Sequence, residues 1–460
     1  MDLKAKPYPV LSMLMVIAFL WFSACGGAGG DGMGSSKAYT IGGTVSGLVG
    51  SGLVLQDNGG DNLAVKANGT FEFKSHVASG GTYDVTVLTQ PAGPEQTCRV
   101  INYSGKVTSD VTGIGVRCAD NPTPGSYLFE EGQTSLLNLA TVEPNTGALS
   151  SPILSNEATS GLWPNIVVTP NQLYLYALFA SFGEIKGYVI GGPGLRLSPI
   201  EGSPFSSPRS DSGGINNEVQ HPSGRFLYVV ESPGKIEQYS IDAAGILTSN
   251  SLITEERTDF YMAVIDPTGK FLVAPGGYSG VFVYAINQSS GTLSPISTSP
   301  FTMPGGESLD QIIMEKNGRY FYTPLSSGGI AAFALNSSTG VLADVPGSPF
   351  FRTKSLTCIA ADPAGRFIYT CNRDGSIDGF EIDEDTGTLN ELAGYPVVTP
   401  SLLTSIVVDP GGSFIYTASM PESLIYGFGV NGSTGEISPL AGSPFPSVAN
   451  PTGLFAINIQ

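Results

Sequence analysis

The stretch Val264-Ile-Asp-Pro-Thr-Gly-Lys-Phe-Leu-Val273 has the pattern of two β-strands joined by a tight turn. A third apolar strand follows at Val281–Ile286, and the turn at Ser290-Gly291 leads to a fourth short strand. This four-strand unit returns every 46 to 51 residues, and its third turn is marked by Gly147, Gly194, Gly245, Gly291, Gly340, Gly387 and Gly435. A repeat of this length with four strands per unit predicts a β-propeller.

The two ends of the repeat indicate how the ring closes. The third strand occurs seven times, but the hairpin of first and second strands occurs only six times. The repeat begins at Ser126-Tyr-Leu-Phe129, which resembles a second strand, and it ends at Gly453–Ile459, which resembles a first strand. We therefore expect seven blades, with the C-terminal strand completing the N-terminal blade, because such closure removes the open sheet edges.

Two further features recur in the repeat. A large apolar residue is expected at the centre of each third strand, where neighbouring sheets pack face to face: Leu139, Tyr188, Tyr239, Tyr284, Phe333, Phe380 and Phe428. The fourth strand is expected to end in Ser-Pro-Phe in four blades, because an outer edge strand tolerates proline.

Composition supports an all-β chain. Among 460 residues there are 60 Gly and 33 Pro, and only 13% of residues are charged, which is typical of many turns and few exposed helices. The formal net charge of −18 disfavours nucleic-acid binding. We predict a signal peptide at 1–24, a Gly/Ser tether at 25–37, a small immunoglobulin-like β-sandwich at 38–119, a linker at 120–125 and the propeller at 126–460.

The N-terminus has the features of an export signal. Lys4 and Lys6 precede an apolar stretch, Val10–Phe22, which is too short to span a membrane comfortably. The segment Phe22-Ser-Ala-Cys25 resembles a bacterial lipoprotein signal, which implies lipidation of Cys25 and an anchor in the outer membrane. The alternative is an ordinary cleaved signal in which Cys25 has no role.

The other four cysteines form two candidate pairs. Cys98 and Cys118 lie on two predicted strands of the sandwich, and Cys358 and Cys371 lie on either side of one hairpin turn. An exported protein meets an oxidising compartment, so we predict disulfides Cys98–Cys118 and Cys358–Cys371. For the second pair, two small core residues are the alternative. Neither pair has the spacing of a metal site, and we predict no metal and no cofactor.

The repeated motifs Asp-Pro-x-Gly-Arg/Lys-Phe-Leu/Ile-Tyr, Val-x-Val-Tyr-x-Ile and Thr-Gly-x-Leu resemble those of the seven-bladed lactonase family, which includes propeller-type 6-phosphogluconolactonases. The resemblance covers about residues 126–460 and implies metal-free hydrolysis of a lactone. Of the site residues it implies, the glutamate after a second strand is matched by Val229-Val-Glu231. The histidine positions are occupied by Trp163-Pro-Asn-Ile-Val167 and Asn216-Asn217.

The remaining candidate site residues lie in loops of the predicted propeller mouth. Arginines and lysines there can bind a carboxylate or phosphate, and the ligand-binding candidates are Arg209, Glu231, Arg257, Arg352, Lys354 and Arg373, with Asp310 as a further charge. Glu231 with Arg209 or Arg373 is the one pairing that suits lactone hydrolysis. His221 occupies a turn position that carries aspartate in sister blades, so we interpret it as a turn cap.

Because most of the family's site residues are replaced, we expect a monomeric, lipid-anchored envelope protein whose propeller binds a small molecule or an envelope protein. The alternatives are an exported lactonase-like hydrolase that uses Glu231, and a purely structural surface protein.

Overall fold

The computed structural model describes residues 37–121, 124–132, 136–151, 153–158, 166–179, 183–192, 194–206, 215–255, 258–302, 308–351 and 355–460. The predicted signal peptide, Cys25 and nearly all of the tether lie outside these ranges. Strands dominate the described part, whose helical content is one 3₁₀ turn at Gly277–Ser279. No helix within the described ranges is long and apolar enough to cross a membrane. The predicted all-β fold class is confirmed.

A small β-sandwich forms the N-terminal part. Its two main sheets have the strand orders β5-β2-β10-β8 and β4-β3-β7-β9, and β10 runs parallel to β2. Residues alternate along these strands, so Val45, Leu55, Val85 and Val116 meet in one core between the sheets. The strands are β1 Ala38–Tyr39, β2 Ile41–Ser46, β3 Val54–Asp57, β4 Asp61–Ala64, β5 Gly69–Glu72, β6 Val77–Ala78, β7 Thr82–Thr89, β8 Gln96–Ile101, β9 Ser104–Lys106 and β10 Val111–Asp120.

Seven antiparallel sheets of the described chain follow, each built on four main strands. The first blade contains β11 Gly125–Gly132, β12 Leu136–Val142 and β13 Ile153–Ala158. The second contains β14 Ile166–Val168, β15 Tyr174–Phe179, β16 Glu184–Gly191, β17 Arg196–Pro199 and β18 Phe205–Ser206. The third contains β19 Ile215–Gln220, β20 Phe226–Glu231, β21 Lys235–Ile241 and β22 Leu247–Thr254. The fourth and fifth contain β23 Val264–Ile265, β24 Phe271–Pro275, β25 Val281–Ile286 and β26 Leu293–Pro295; and β27 Ile313–Met314, β28 Tyr320–Pro324, β29 Ile330–Leu335 and β30 Leu342–Asp344. The sixth contains β31 Leu356–Ala361, β32 Phe367–Asn372, β33 Ser376–Ile382, β34 Leu389–Glu391 and β35 Val397–Val398. The seventh contains β36 Ser405–Val408, β37 Phe414–Ser419, β38 Leu424–Val430, β39 Ile437–Pro439 and β40 Phe445–Pro446. The last strand of the chain is β41 Pro451–Ile459.

The last strand joins the first blade. β41 pairs antiparallel with β11, with Phe129 opposite Phe455, and the sheet order is β13-β12-β11-β41. First strands of most neighbouring blades contact one another, which arranges them around the central axis. We call the end with the second-to-third-strand and fourth-to-first-strand loops the mouth, and the opposite end the base.

A recurring hydrogen bond links the blades near the base. A buried tyrosine on the second strand donates its hydroxyl to the carbonyl of the marker glycine in the next blade. The pairs are Tyr176–Gly245 (2.7 Å), Tyr228–Gly291 (2.6 Å), Tyr322–Gly387 (3.0 Å), Tyr369–Gly435 (3.0 Å) and, across the ring closure, Tyr416–Gly147 (2.7 Å). At the other two joints the corresponding residues, Phe129 and Val273, have no hydroxyl.

The fourth strand differs from the expectation because it is in two pieces. In four blades the outer strand ends before Ser-Pro-Phe, and the phenylalanine then pairs with the other end of the third strand. Proline has no N–H for a continuous ladder. The serine side chain supplies an acceptor to the third strand where the ladder is interrupted, as Ser203 does by accepting the N–H of Gly187 at 3.0 Å.

One predicted core position is wrong by one residue. Leu128 has the place of Leu227 in the third blade, and it lies opposite Ala140, as Leu227 lies opposite Tyr239. Leu139 therefore points to the other face of its sheet, where it packs towards the second blade. The period of two residues in a strand makes a shift of one residue change the face completely.

Turns at the base are capped by side chains. The carboxylate of Asp409 accepts the backbone N–H groups of Gly411, Ser413 and Phe414 at 2.9, 2.7 and 2.6 Å. His221, which is 3% exposed, accepts the N–H of Ser223 on Nδ1, so Nε2 carries the hydrogen and donates to the Gly269 carbonyl at 2.9 Å. Burial lowers the pKa of His221. It is therefore a neutral turn cap, as the repeat predicts.

Candidate ligand-binding site

Glu231 reaches the mouth because it is the last residue of β20. Its backbone lies opposite Ile215 on the first strand and Lys235 on the third. The residue is buried, with 1% of its surface exposed. Glu231 therefore belongs to the wall of the mouth, below the loops, and any ligand must pass the loops to reach it.

The loop after Glu231 packs against the chain that enters the fourth blade. A side chain on Gly234, which has a φ of 52°, would collide with the carbonyl oxygen of Glu255 and meet that of Thr258. Asn216 strengthens this contact by donating to the Phe260 carbonyl at 2.5 Å. The wall that carries Glu231 is thus continuous with Glu255 and with residues 258–261.

Residues 258–261 and the neighbouring loops carry four exposed side chains, which we call the rim cluster: Asp259, Tyr261, Tyr278 and Asp310. Tyr278, on the 3₁₀ turn, is 77% exposed and Tyr261 is 42% exposed. Burial raises the pKa of the Tyr261 hydroxyl, and the charges of Asp259 and Asp310 raise it further. Asp259, Asp310 and Tyr278 thus lie near enough to Tyr261 to influence the charge of its hydroxyl.

The sixth blade contributes Arg373 and a buried polar pair. Arg373 lies in the turn between β32 and β33 with an exposed side chain, while its backbone N–H donates to the Ser355 carbonyl at 3.0 Å. Beside it, Asn372 donates to Asp378 at 2.6 Å. Glu231 and Arg373 lie on the third and sixth blades, on opposite sides of a seven-membered ring, so the fold does not make them neighbours.

Of the predicted mouth residues, Arg209, Arg257, Arg352 and Lys354 lie outside the described residues. The described ranges contain no group of three or more His, Cys, Asp or Glu side chains arranged for a metal ion.

Two buried acids were not singled out from the sequence. Glu130 is fully buried between the seventh and first blades, where its carboxylate accepts from Ser447 Oγ at 2.9 Å and from the Val448 N–H at 3.3 Å. Glu218 is buried between the second and third blades, near the backbone of Val167. Burial raises the pKa of both carboxyls, that of Glu218 strongly.

An alignment of the repeats would have revealed both acids. Glu130 occupies the second-strand position that holds Val229 in the third blade and Thr370 in the sixth. Glu218 occupies the first-strand position that holds Ile359 in the sixth blade. An acid at an apolar or small position of a repeat is a signal that can be seen without coordinates.

The sequence matches the family described as "Lactonase, 7-bladed beta-propeller" over residues 125–449. The chain belongs to this lactonase family. The match covers the propeller up to its closing strand and excludes the sandwich, and it confirms the resemblance inferred from the repeats. No curated protein sequence matches the chain.

Several solved structures share the fold of this chain. The periplasmic gluconolactonase of Pseudomonas aeruginosa is 18% identical, with a TM-score of 0.59 over 73% of this chain and 100% of its own. A protein from Lactobacillus plantarum is 17% identical, with a TM-score of 0.59 and the same coverage. A protein from Bacteroides fragilis described as a putative 6-phosphogluconolactonase is 16% identical, with a TM-score of 0.57 over 73% of this chain and 99% of its own. At these identities the likeness concerns the fold alone.

Proposed function

We propose that this lactonase-family protein binds a polyhydroxylated, sugar-derived ligand at the rim cluster of its propeller mouth. The observation that carries the proposal is the combination of two exposed tyrosines with the carboxylates of Asp259 and Asp310. Carboxylates accept hydrogen bonds from sugar hydroxyls, and a tyrosine offers an apolar ring face beside a polar hydroxyl. An anionic ligand would be repelled at this part of the mouth.

The proposed location is the cell envelope. Three features support it: the signal-like segment at 1–24, the cysteine at position 25, and the two disulfides Cys98–Cys118 and Cys358–Cys371, which form in oxidising compartments. Lipidation of Cys25 and anchoring in the outer membrane are part of this proposal. Growth with a labelled fatty acid tests it, because Cys25→Ser should abolish the label on the protein.

The binding proposal is tested by calorimetry with δ-gluconolactone, glucose and gluconate. We expect the lactone and glucose to bind, gluconate to bind more weakly, and Tyr278→Ala to reduce affinity about tenfold, because ring stacking is lost. Tyr103→Ala is the matched control, since Tyr103 is 49% exposed on the sandwich. Equal affinities of wild type and Tyr278→Ala would contradict the site.

A second candidate function, lactone hydrolysis, is supported by the family match over residues 125–449. In this reaction Glu231 would take a proton from a water molecule whose oxygen attacks the lactone carbonyl. The ring C–O bond breaks, the proton passes to the leaving ring oxygen, and the product is the hydroxy acid. Nothing is oxidised or reduced.

The two functions are separated by turnover. The hydrolase is supported if the wild type hydrolyses lactones of a panel and Glu231→Gln lowers the rate of hydrolysis at least about a hundredfold. Binding without turnover supports a binding scaffold. If the protein shows neither binding nor turnover, the structural surface protein is the remaining hypothesis.

A further inference from the structure

A cavity of about 490 Å³ lies where the sandwich meets the base of the second and third blades. Its propeller side includes Tyr174 at the start of β15, Gly191 at the end of β16 and Ala244 in the turn after β21. The N–H of Gly192 donates to the Asp120 carbonyl at 2.9 Å, which ties the two parts together beside the cavity. A volume of this size suits a small-molecule ligand.

Three arginines line this cavity although the chain carries 39 acidic and only 21 basic side chains. Arg99 and Arg117 come from the sandwich, and Arg196 comes from β17 of the second blade. The carboxylate lining the cavity is that of Asp120, which accepts from Gln96 at 2.9 Å. The lining therefore has a net positive charge inside a protein whose net charge is −18.

The two sandwich arginines lie where their positive charges face each other. Arg117 lies directly opposite Arg99 on adjacent antiparallel strands, and like charges in this position repel each other. The disulfide Cys98–Cys118 joins the next pair of residues along the same strands, so the strands cannot separate there. The two arginines are therefore kept opposite each other although their charges repel.

The propeller compensates this charge only in part. Arg117 forms an ion pair with Glu201, whose side chain is 67% exposed. The guanidinium of Arg99 lies over the ring of Tyr174, 5.2 Å from its centre, and this contact leaves its charge in place. The side chain of Arg196 is exposed at the rim of the cavity.

We propose that this interdomain cavity binds a small molecule that carries two or more oxyanion groups, either carboxylates or phosphates. Arg99 and Arg196 bind the anionic groups from opposite walls, since guanidinium groups match oxyanions in geometry and charge. The ring of Tyr174 lies under the Arg99 guanidinium and holds it in place for the ligand. Occupancy links the sandwich to the propeller and is independent of the mouth, which lies at the other end of the blades.

The test measures citrate and pyrophosphate binding to the full-length protein in mild detergent by calorimetry, with glucose as a neutral comparison. The wild type should bind one or both anions, and the affinity should fall as ionic strength rises. Binding of citrate alone assigns the site to carboxylates, and binding of pyrophosphate alone assigns it to phosphates.

The test is specific because the variants are expected to change the affinity for the anion in opposite directions. Arg196→Gln and Arg99→Gln should each weaken binding at least about tenfold. Glu201→Gln releases Arg117 for the ligand and should strengthen binding a few-fold. Lys270→Gln removes an exposed cation elsewhere on the base and should change nothing. The proposal is overturned if neither anion binds, or if Arg196→Gln and Glu201→Gln both bind as the wild type does.

Discussion

The base and the mouth of the propeller are built on different principles. At the base, the same contacts return from blade to blade: capped turns such as the one at Asp409, and tyrosine-to-glycine bonds such as Tyr416 to Gly147. At the mouth, each blade is different, with Glu231 on the third, Tyr278 on the fourth and Arg373 on the sixth. The difference indicates that repeated residues stabilise the ring and unrepeated residues are available for a ligand.

The largest effect is expected at a base turn. Asp409→Ala leaves three backbone N–H groups without their acceptor, so we expect unfolding free energy to fall by about 3 kcal/mol. Urea denaturation measures it. Asp344→Ala, at an exposed strand position, should be nearly neutral. A neutral Asp409→Ala would break the comparison, because the repeated turn would then carry no stability.

A smaller loss is expected at the joint that closes the ring. Tyr416→Phe removes the hydroxyl that donates to the Gly147 carbonyl and should cost about 1 kcal/mol. Tyr228→Phe, at an internal joint, should cost about the same if all joints are equivalent. A much larger loss for Tyr416→Phe would show that the closing joint limits the stability of the ring. No loss in either variant would mean that these hydrogen bonds do not stabilise the ring.

Buried acids should make stability depend on pH. Burial raises the pKa of Glu130 and of Glu218 above the ordinary 4.5 in the folded state, so the folded state favours the protonated forms. The stability that the protonated carboxyls contribute is fully present below about pH 4.5 and is lost as pH rises through the pKa of the folded state. Glu218→Gln should therefore raise the thermal midpoint at neutral pH, and by less at mildly acidic pH. Parallel scans of Glu436→Gln, an exposed acid at the base, provide the control; equal pH profiles of Glu218→Gln and wild type would contradict the assignment.

The smallest effect on stability is expected at the mouth. Tyr278→Ala removes a side chain that is 77% exposed, so unfolding free energy should change by less than about 0.5 kcal/mol. The same variant should bind the ligand more weakly. Asp409→Ala, measured under conditions in which it is folded, should bind the ligand as the wild type does. A large loss of stability in Tyr278→Ala would mean that the mouth, too, is structural.

Most of the fold could be predicted because the sequence states it repeatedly. Each blade is an independent copy of the same pattern, so an error in one copy, such as Leu139, does not change the fold class. The same redundancy identified His221 as a turn cap, because sister blades carry aspartate at that position. The disulfides Cys98–Cys118 and Cys358–Cys371 are confirmed, since strand register brings each pair opposite one another.

The sites were less predictable because they are formed by residues that no short motif contains. Glu231 was found through a family pattern, whereas the rim cluster consists of residues from separate loops that meet only when the fourth and fifth blades pack. The arginine cavity has the same origin. Arg99 and Arg117 are paired by strand register, but Arg196 joins them only because the sandwich docks on the base of the second blade.

The sequence by itself determined the seven-bladed ring and its repeated stabilising contacts, because periodic burial requires residues of fixed type at fixed spacing. Only the tertiary structure decided which unrepeated charges meet. Electrostatic and hydrogen-bonding contacts act over a few ångströms, and that proximity depends on how blades and sandwich pack rather than on distance along the chain.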